Sequence, residues 1–115
     1  IQVYAEKKNY SIVRDFCGHG LGKVFHDHPS VLHFGKPGEG ELLQEGMFFT
    51  VEPMINIGDY KVKVLSDGWT AVTSDKSLSA QFEHTVGVTK TGYEIFTLSK
   101  KNFTFPPYKK NDSKI

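Results

Sequence analysis

The stretch RDFCGHGLGKVFHDHP, residues 14–29, puts three histidines, one cysteine and three glycines into sixteen positions. Gly18 and Gly20 flank His19, Gly22 follows, and His26 and His28 come just downstream. A loop that only has to turn needs one glycine. Three imply that backbone or ligand comes close, because glycine has no Cβ and tolerates positive φ. GHGLG then presents one imidazole inward with little bulk around it. The third glycine falls at the wrong spacing for the dinucleotide fingerprint G-x-G-x-x-G. Taken alone, a histidine in such a loop also reads as structural.

Outward from this loop the chain reads as α+β. Residues 1–8 pattern as a helix, closed by Asn9-Tyr10, and YSIVRDF alternates apolar and polar residues as a strand does. Pro29 introduces a short strand at SVLHF, and GKPGEG is rich in turn formers. From Gly46 onward the pattern is β: GMFFTVEPMINIG, YKVKVLSDG, WTAVTSD, SAQFEHTVGVTKTG and YEIFTL. Asp67-Gly68 and Thr91-Gly92 suit hairpin turns between these runs. After Leu98 the pattern decays through Pro106-Pro107 into a polar tail.

The 115 residues make one domain at most, and 38% hydrophobic content with nine Phe, five Tyr and one Trp is enough for a core. The formal charge of +1 hides an asymmetry: residues 100–115 carry five lysines against Asp112, a net of +4, and the rest carries −3. Such a tail binds anionic partners such as RNA, or only keeps the protein soluble; no specific nucleic acid is expected as a partner. Cys17 is the only cysteine, so no intrachain disulfide forms and a reducing, cytoplasmic setting is expected. No apolar run approaches the ~18 residues of a membrane span, and no membrane partner is expected. The first ten residues lack an initiator Met and read as the end of an amphipathic helix, so the chain is expected to be part of a longer protein.

Two further segments carry groups able to bind metal. In FFTVEPM, Glu52 ends an apolar strand just before Pro53, which forces extended backbone and removes an N–H. A carboxylate there is costly to bury unless paired or bound to a cation. In SAQFEHTVGVT, Glu83 shares its strand face with Thr85 and Gly87, small and polar neighbours suited to a cavity wall. Each glutamate, taken alone, also reads as a strand-end residue facing water. Together with His19 they form a neutral imidazole and two carboxylates, a ligand set for a transition metal in a hydrolase. Separations of 33 and 31 residues suit neighbouring strands rather than the tight spacing of a zinc finger.

FCGHGLGKVFHDHPSVLHF, EGMFFTVEPM, DGWTAVTSDKSLSAQFEHTVGVT and GYEI closely resemble the type 1 methionine aminopeptidases of peptidase family M24, from about Tyr4 to Leu98. The resemblance implies the creatinase-like "pita-bread" fold, of which this chain matches the C-terminal half: a curved, mostly antiparallel sheet with a helix packed on one face. Residues 1–98 would form that half of the catalytic domain and residues 99–115 a basic, proline-containing tail. The family's other half supplies two aspartate ligands and a substrate-contacting histidine, for which nothing before Tyr4 provides a match. The chain alone is therefore expected to be inactive.

By the same resemblance, His19, Glu52 and Glu83 are metal ligands, with Glu83 bridging two divalent ions of Co, Mn, Fe or Zn. His26 contacts the substrate near the scissile peptide, Glu52 also shuttles a proton, and Phe25 and Trp69 wall the methionine pocket. His28, His33 and His84 match no such role and read as structural. The 31 residues between the glutamates leave no room for the type 2 insertion. The implied reaction removes the initiator methionine from nascent polypeptides whose second residue is small, in a monomeric enzyme that works near ribosomes. The alternatives are a non-catalytic pita-bread protein that binds peptides or partners, and another M24-type aminopeptidase.

Overall fold

The computed structural model describes residues 1–99. The tail expected over residues 99–115 thus lies, except for Ser99, outside the described residues. The chain opens with a five-residue helix, α1 (Gln2–Glu6), shorter than the helix expected over residues 1–8. Asn9 ends it in the left-handed region, at φ 62°, and the Tyr10 N–H closes the turn on the Ala5 carbonyl at 3.1 Å. Asparagine tolerates that conformation better than most residues. Ala5 is buried where α1 rests on β1 (Ser11–Ile12).

The strand expected over YSIVRDF stops after two residues. Val13 adds one more bond to the Met54 carbonyl at 3.1 Å, and the chain then bends so that the Arg14 guanidinium lies 4.1 Å from the Tyr60 ring centre. GHG is not a loop but a strand, β2 (Gly18–Gly20), with β3 (Asp27–Val31) along one side and β4 (Phe48–Val51) along the other. A Cβ on Gly18 would collide with the Thr50 carbonyl, and one on Gly20 with the His28 carbonyl. The glycines therefore serve close backbone packing, not positive φ. Pro29 lies within β3 and follows a cis peptide bond, so the strand begins before it and ends before the LHF expected to complete it. β3 is the edge of its sheet, where a proline removes no interior ladder bond.

The two longest β runs of the sequence each divide. FFTVEPMIN becomes β4 and β5 (Met54–Asn56), while SAQFEHTVGVT becomes β8 (Ser79–Gln81) and β9 (His84–Thr89). β4 pairs with β9 through Thr50↔Thr85 and Val51↔His84, and β5 pairs with β8 through Met54↔Gln81 and Ile55↔Ala80. Both ladders follow one antiparallel register, interrupted only at Glu52-Pro53 and Phe82-Glu83. Pro53 has no N–H with which to continue the ladder, and the strand pair bends there from one sheet into another. The expected curved sheet is thus resolved into a five-stranded sheet, β10-β9-β4-β2-β3, and a three-stranded one, β1-β5-β8. A third, two-stranded sheet pairs β6 (Val62–Val64) with β7 (Ala71–Thr73), and β10 spans Gly92–Ile95. All pairings are antiparallel among the described residues.

The hairpin expected at Asp67-Gly68 forms. Gly68 takes φ +69°, and Asp67 Oδ1 accepts the N–H groups of Trp69 at 3.0 Å and Thr70 at 2.9 Å. The turn after β9 falls one residue earlier than expected, with Lys90-Thr91 between the paired Thr89 and Gly92. Ile12, Val13 and Phe49 join Ala5 as the buried apolar side chains among the described residues, with Phe49 opposite Val86. In so thin a core, truncating Phe49 to alanine would cost about 3–5 kcal/mol.

Asp75 ties the chain before β6 to the turn after β7, accepting the N–H groups of Asp59 at 2.7 Å and Ser77 at 3.0 Å. The Ser77 and Asp59 N–H groups, with the Ser77 hydroxyl, hold its carboxyl down at about 2, against an ordinary 3.8. A depressed carboxylate pKa stabilises the fold above the unfolded value and loses that contribution as pH falls toward the folded one. Asp75→Asn should therefore lower the melting temperature at pH 7, and its deficit should shrink between pH 4 and pH 2. Parallel thermal melts of the two proteins across that interval give the test.

Candidate metal centre

Alternation along β4 and β9 puts Thr50 and Glu52 on one face, and Thr85 and Glu83 on the same face opposite them. The pair Gly20↔Phe49, carried back one step, sets His19 across from Thr50 on the other flank. Three strands thus deliver His19, Glu52 and Glu83 to one spot. One ligand atom from each lies within 4.8 Å of the others, the single such group of three among the described residues. His19 and Glu52 are largely buried, their side chains 12% and 18% exposed, while Glu83 is exposed.

His19 Nδ1 lies 2.9 Å from the Gly20 carbonyl oxygen. A carbonyl only accepts, so Nδ1 carries a proton, and in the neutral ring Nε2 keeps its lone pair. That Nε2 faces Glu52 Oε1 at 3.6 Å. Ligands ~2.0–2.1 Å from one ion at a tetrahedral angle stand about 3.4 Å apart, so the spacing and the tautomer both fit a shared divalent cation. A backbone carbonyl on the far ring nitrogen is the usual way a ligating histidine is oriented.

The break at Glu52 leaves its backbone groups without ladder partners, and side chains replace them. The Glu52 N–H donates to His33 Nε2 at 3.0 Å, and Gln81 Nε2 donates to the Glu52 carbonyl at 3.0 Å. Gln81 Nε2 also lies 3.5 Å from Glu52 Oε2, and the Thr50 hydroxyl donates to Oε1 at 2.6 Å. His33 is 3% exposed, and burial pushes its imidazole below the ordinary 6.5, against the opposing pull of the Glu52 carboxylate.

The loop between β2 and β3 carries Phe25 and His26. Their rings meet edge to face at 4.7 Å, and His26 also packs on His19 at 4.4 Å, with Phe25 5.4 Å from His19. A cleft of about 570 Å³ opens here, lined by His19, His26 and Glu52 together with Phe16, Cys17, Asp27, His28, Ser30 and Met54. Neither Phe25 nor Trp69 is among its walls: Phe25 is 72% exposed, and Trp69 stands at the tip of the β6–β7 hairpin, 88% exposed. His28 pairs with Glu41 at 2.7 Å and His84 meets the Thr97 hydroxyl at 2.8 Å.

The sequence analysis named neither Thr50 nor Gln81, and read His33 as structural. Thr50 and Gln81 each sit two residues before a candidate ligand, hence on its strand face, and that period is the available signal. His33 gave only an imidazole among apolar neighbours. No helix among the described residues is long and apolar enough to cross a membrane.

Residues 1–90 match metallopeptidase family M24. The chain is 67% identical over 110 residues to methionine aminopeptidase of Rickettsia prowazekii, covering 94% of this chain and 42% of the relative. It is 54% identical over 106 residues to that of Salmonella typhimurium, covering 92% of this chain and 40% of the relative. The crystal structure of the Rickettsia prowazekii enzyme superposes with a TM-score of 0.82 over 84% of this chain and 40% of that one. That of Thermotoga maritima methionine aminopeptidase, 45% identical, superposes with a TM-score of 0.80 over 83% and 38%. The chain spans about two fifths of the length of the relatives it matches.

Protonating His33 would break its bond from the Glu52 N–H, and its lowered pKa means the folded state takes up this proton less readily than the unfolded chain. Stability from this group is complete above pH 6.5 and declines as pH falls below it. In metal-free thermal melts, the midpoint should drop between pH 7.5 and pH 5.5. His33→Gln, which keeps an acceptor without a titrating ring, should show a smaller drop; equal drops in both proteins would contradict the assignment.

Proposed function

Because the chain belongs to metallopeptidase family M24, we propose that it forms part of an aminopeptidase that removes the initiator methionine from nascent polypeptides whose second residue is small. The observation that carries this reading is the convergence of His19, Glu52 and Glu83 within 4.8 Å beside a cleft that His26 also lines. A non-catalytic peptide binder has no need of all four.

Membership of the family implies use of a divalent metal. We assign two ions, of Co, Mn, Fe or Zn, since imidazole and carboxylates accept all four. Bound there, such ions supply Lewis acidity toward the scissile carbonyl and make a water nucleophilic near neutral pH. His19 offers Nε2 as ligand with its tautomer held by Gly20. Glu83, exposed beside the other two, is assigned by the resemblance to the bridging position, and the remaining ligands are assigned to residues outside this chain. Glu52, anchored through both its backbone and its carboxylate, holds a fixed oxygen that can take up a proton and pass it to the leaving amine.

His26, edge-on to His19, is assigned to the substrate peptide and its transition state. Phe25 beside it is assigned to the wall of an apolar pocket, which suits a polarisable thioether. Trp69 is given the same role by resemblance, its exposure calling for a further surface to complete that wall. The polypeptide N-terminus is the partner, ribosome association and a monomeric state go with it, and a cytoplasmic setting suits Cys17 as a free thiol.

Expressed as these 115 residues, the chain should turn over a Met-Ala-Ser peptide negligibly with Mn or Co; robust turnover would show that its ligand set is sufficient. In the complete enzyme, His26→Ala should lower kcat by about 10²–10⁴ and keep the metal, whereas Glu83→Ala should lose metal and turnover together. Metal content measured beside kcat separates the two roles, and a metal-free His26 variant would overturn the division.

A further inference from the structure

Thr50 is 2% exposed in the middle of β4, between Thr85 on one flank and β2 on the other. A threonine hydroxyl has one proton to give and two lone pairs. Here both capacities are committed. Thr50 Oγ1 accepts the His19 N–H at 3.0 Å and donates its own proton to Glu52 Oε1 at 2.6 Å. The second distance is in the range of charge-assisted O–H···O⁻ bonds. The oxygen that receives it is the one facing His19 Nε2 at 3.6 Å. One hydroxyl thus connects the backbone of one candidate ligand to the carboxylate of another. Gly18 makes the approach feasible, because a Cβ there would strike the Thr50 carbonyl.

We propose that Thr50 is a positioning residue for the metal centre: its hydroxyl fixes the Glu52 carboxylate in one orientation relative to His19. Resting on the metal-dependent reading above, the role adds a residue that touches neither the ion nor the substrate. A hydroxyl that donates to one carboxylate oxygen restricts rotation of that carboxylate. By occupying one lone pair of Oε1, it also leaves a defined direction for the cation. A purely structural polar residue inside a strand would satisfy the His19 N–H and do no more.

The test is titration of the metal-stripped complete enzyme with Co(II), following affinity and the visible d–d spectrum, for wild type, Thr50→Val and Thr50→Ser. Valine keeps the shape and removes the hydroxyl; serine keeps the hydroxyl. Thr50→Val should bind Co(II) 10–100-fold more weakly, with an altered d–d band, while its metal-free far-UV circular dichroism stays that of wild type. Thr50→Ser should recover the wild-type spectrum and come within about threefold of wild-type affinity, a margin of about 0.7 kcal/mol. If Thr50→Val does not fold, Thr50→Ala carries the same expectation. Wild-type affinity and spectrum in the hydroxyl-free variant would overturn the proposal, as would a serine variant no better than valine. Absence of Co(II) binding by wild type would overturn the metal reading and this proposal with it, whereas tight wild-type binding with an indifferent Thr50→Val would sink the positioning role alone.

Discussion

The structure depends on one antiparallel register that runs through two sheets and is broken at a single place. β4 and β5 face β9 and β8 in the same alignment from Phe48↔Gly87 to Asn56↔Ser79. The interruption falls at Pro53, whose missing N–H ends the ladder. A continuous ladder would carry Glu52 and Glu83 as an opposed like-charge pair, an arrangement that destabilises a sheet. Placed at the break, the two carboxylates lie where the strands part, next to β2 and its imidazole. The bend that divides the sheet is the same feature that makes room for a cation.

Such a break has a cost that neighbouring side chains offset. An unpaired backbone group away from water forfeits about the worth of a hydrogen bond. His33 and Gln81 supply those bonds to Glu52, and Thr50 supplies a third to its carboxylate. This makes the imidazole of His33 more than core filling, since its acceptor nitrogen is the partner of the ligand's own N–H. It also explains why burial, which disfavours the charged ring, works in favour of the site: only the neutral form has a lone pair at Nε2 to offer.

Much of this was legible in the residues, and what was not has identifiable causes. Alternation gave the strand faces, so the shared parity of Glu83, Thr85 and Gly87 stood in the sequence, and Thr85 and Gly87 emerge on one face of β9 with Glu83 just before it. Asp67-Gly68 announced its hairpin because an aspartate that caps two N–H groups and a glycine at positive φ are local matters. The glycines around His19 were harder. Their spacing signalled close approach, but whether to a ligand or to neighbouring backbone depends on β3 and β4, 10 and 30 residues away in the chain. Strand ends were misjudged at YSIVRDF and SVLHF because tertiary bends, not propensity, stop those strands. His33 reads as structural, but its partner does not show in the sequence because it is 19 residues distant.

The site divides into a part held by the sheet and a part held by a loop, and the division matches the chemistry asked of each. His19, Glu52 and the ladder beside Glu83 are fixed by strand pairing and by hydrogen bonds whose donors and acceptors are determined. The metal-binding role proposed for them needs that, because displacement of a few tenths of an ångström already departs from acceptable bond lengths. His26 sits instead in the connection between β2 and β3 and is held by ring contacts with His19 and Phe25. Ring packing fixes a plane less tightly than a ladder fixes a backbone, and among the described residues it leaves both imidazole nitrogens free for another partner. In the role proposed for His26, a group that must meet a peptide, follow it as its carbonyl becomes tetrahedral, and release it is better carried on such a loop than on the strands proposed to hold the ions.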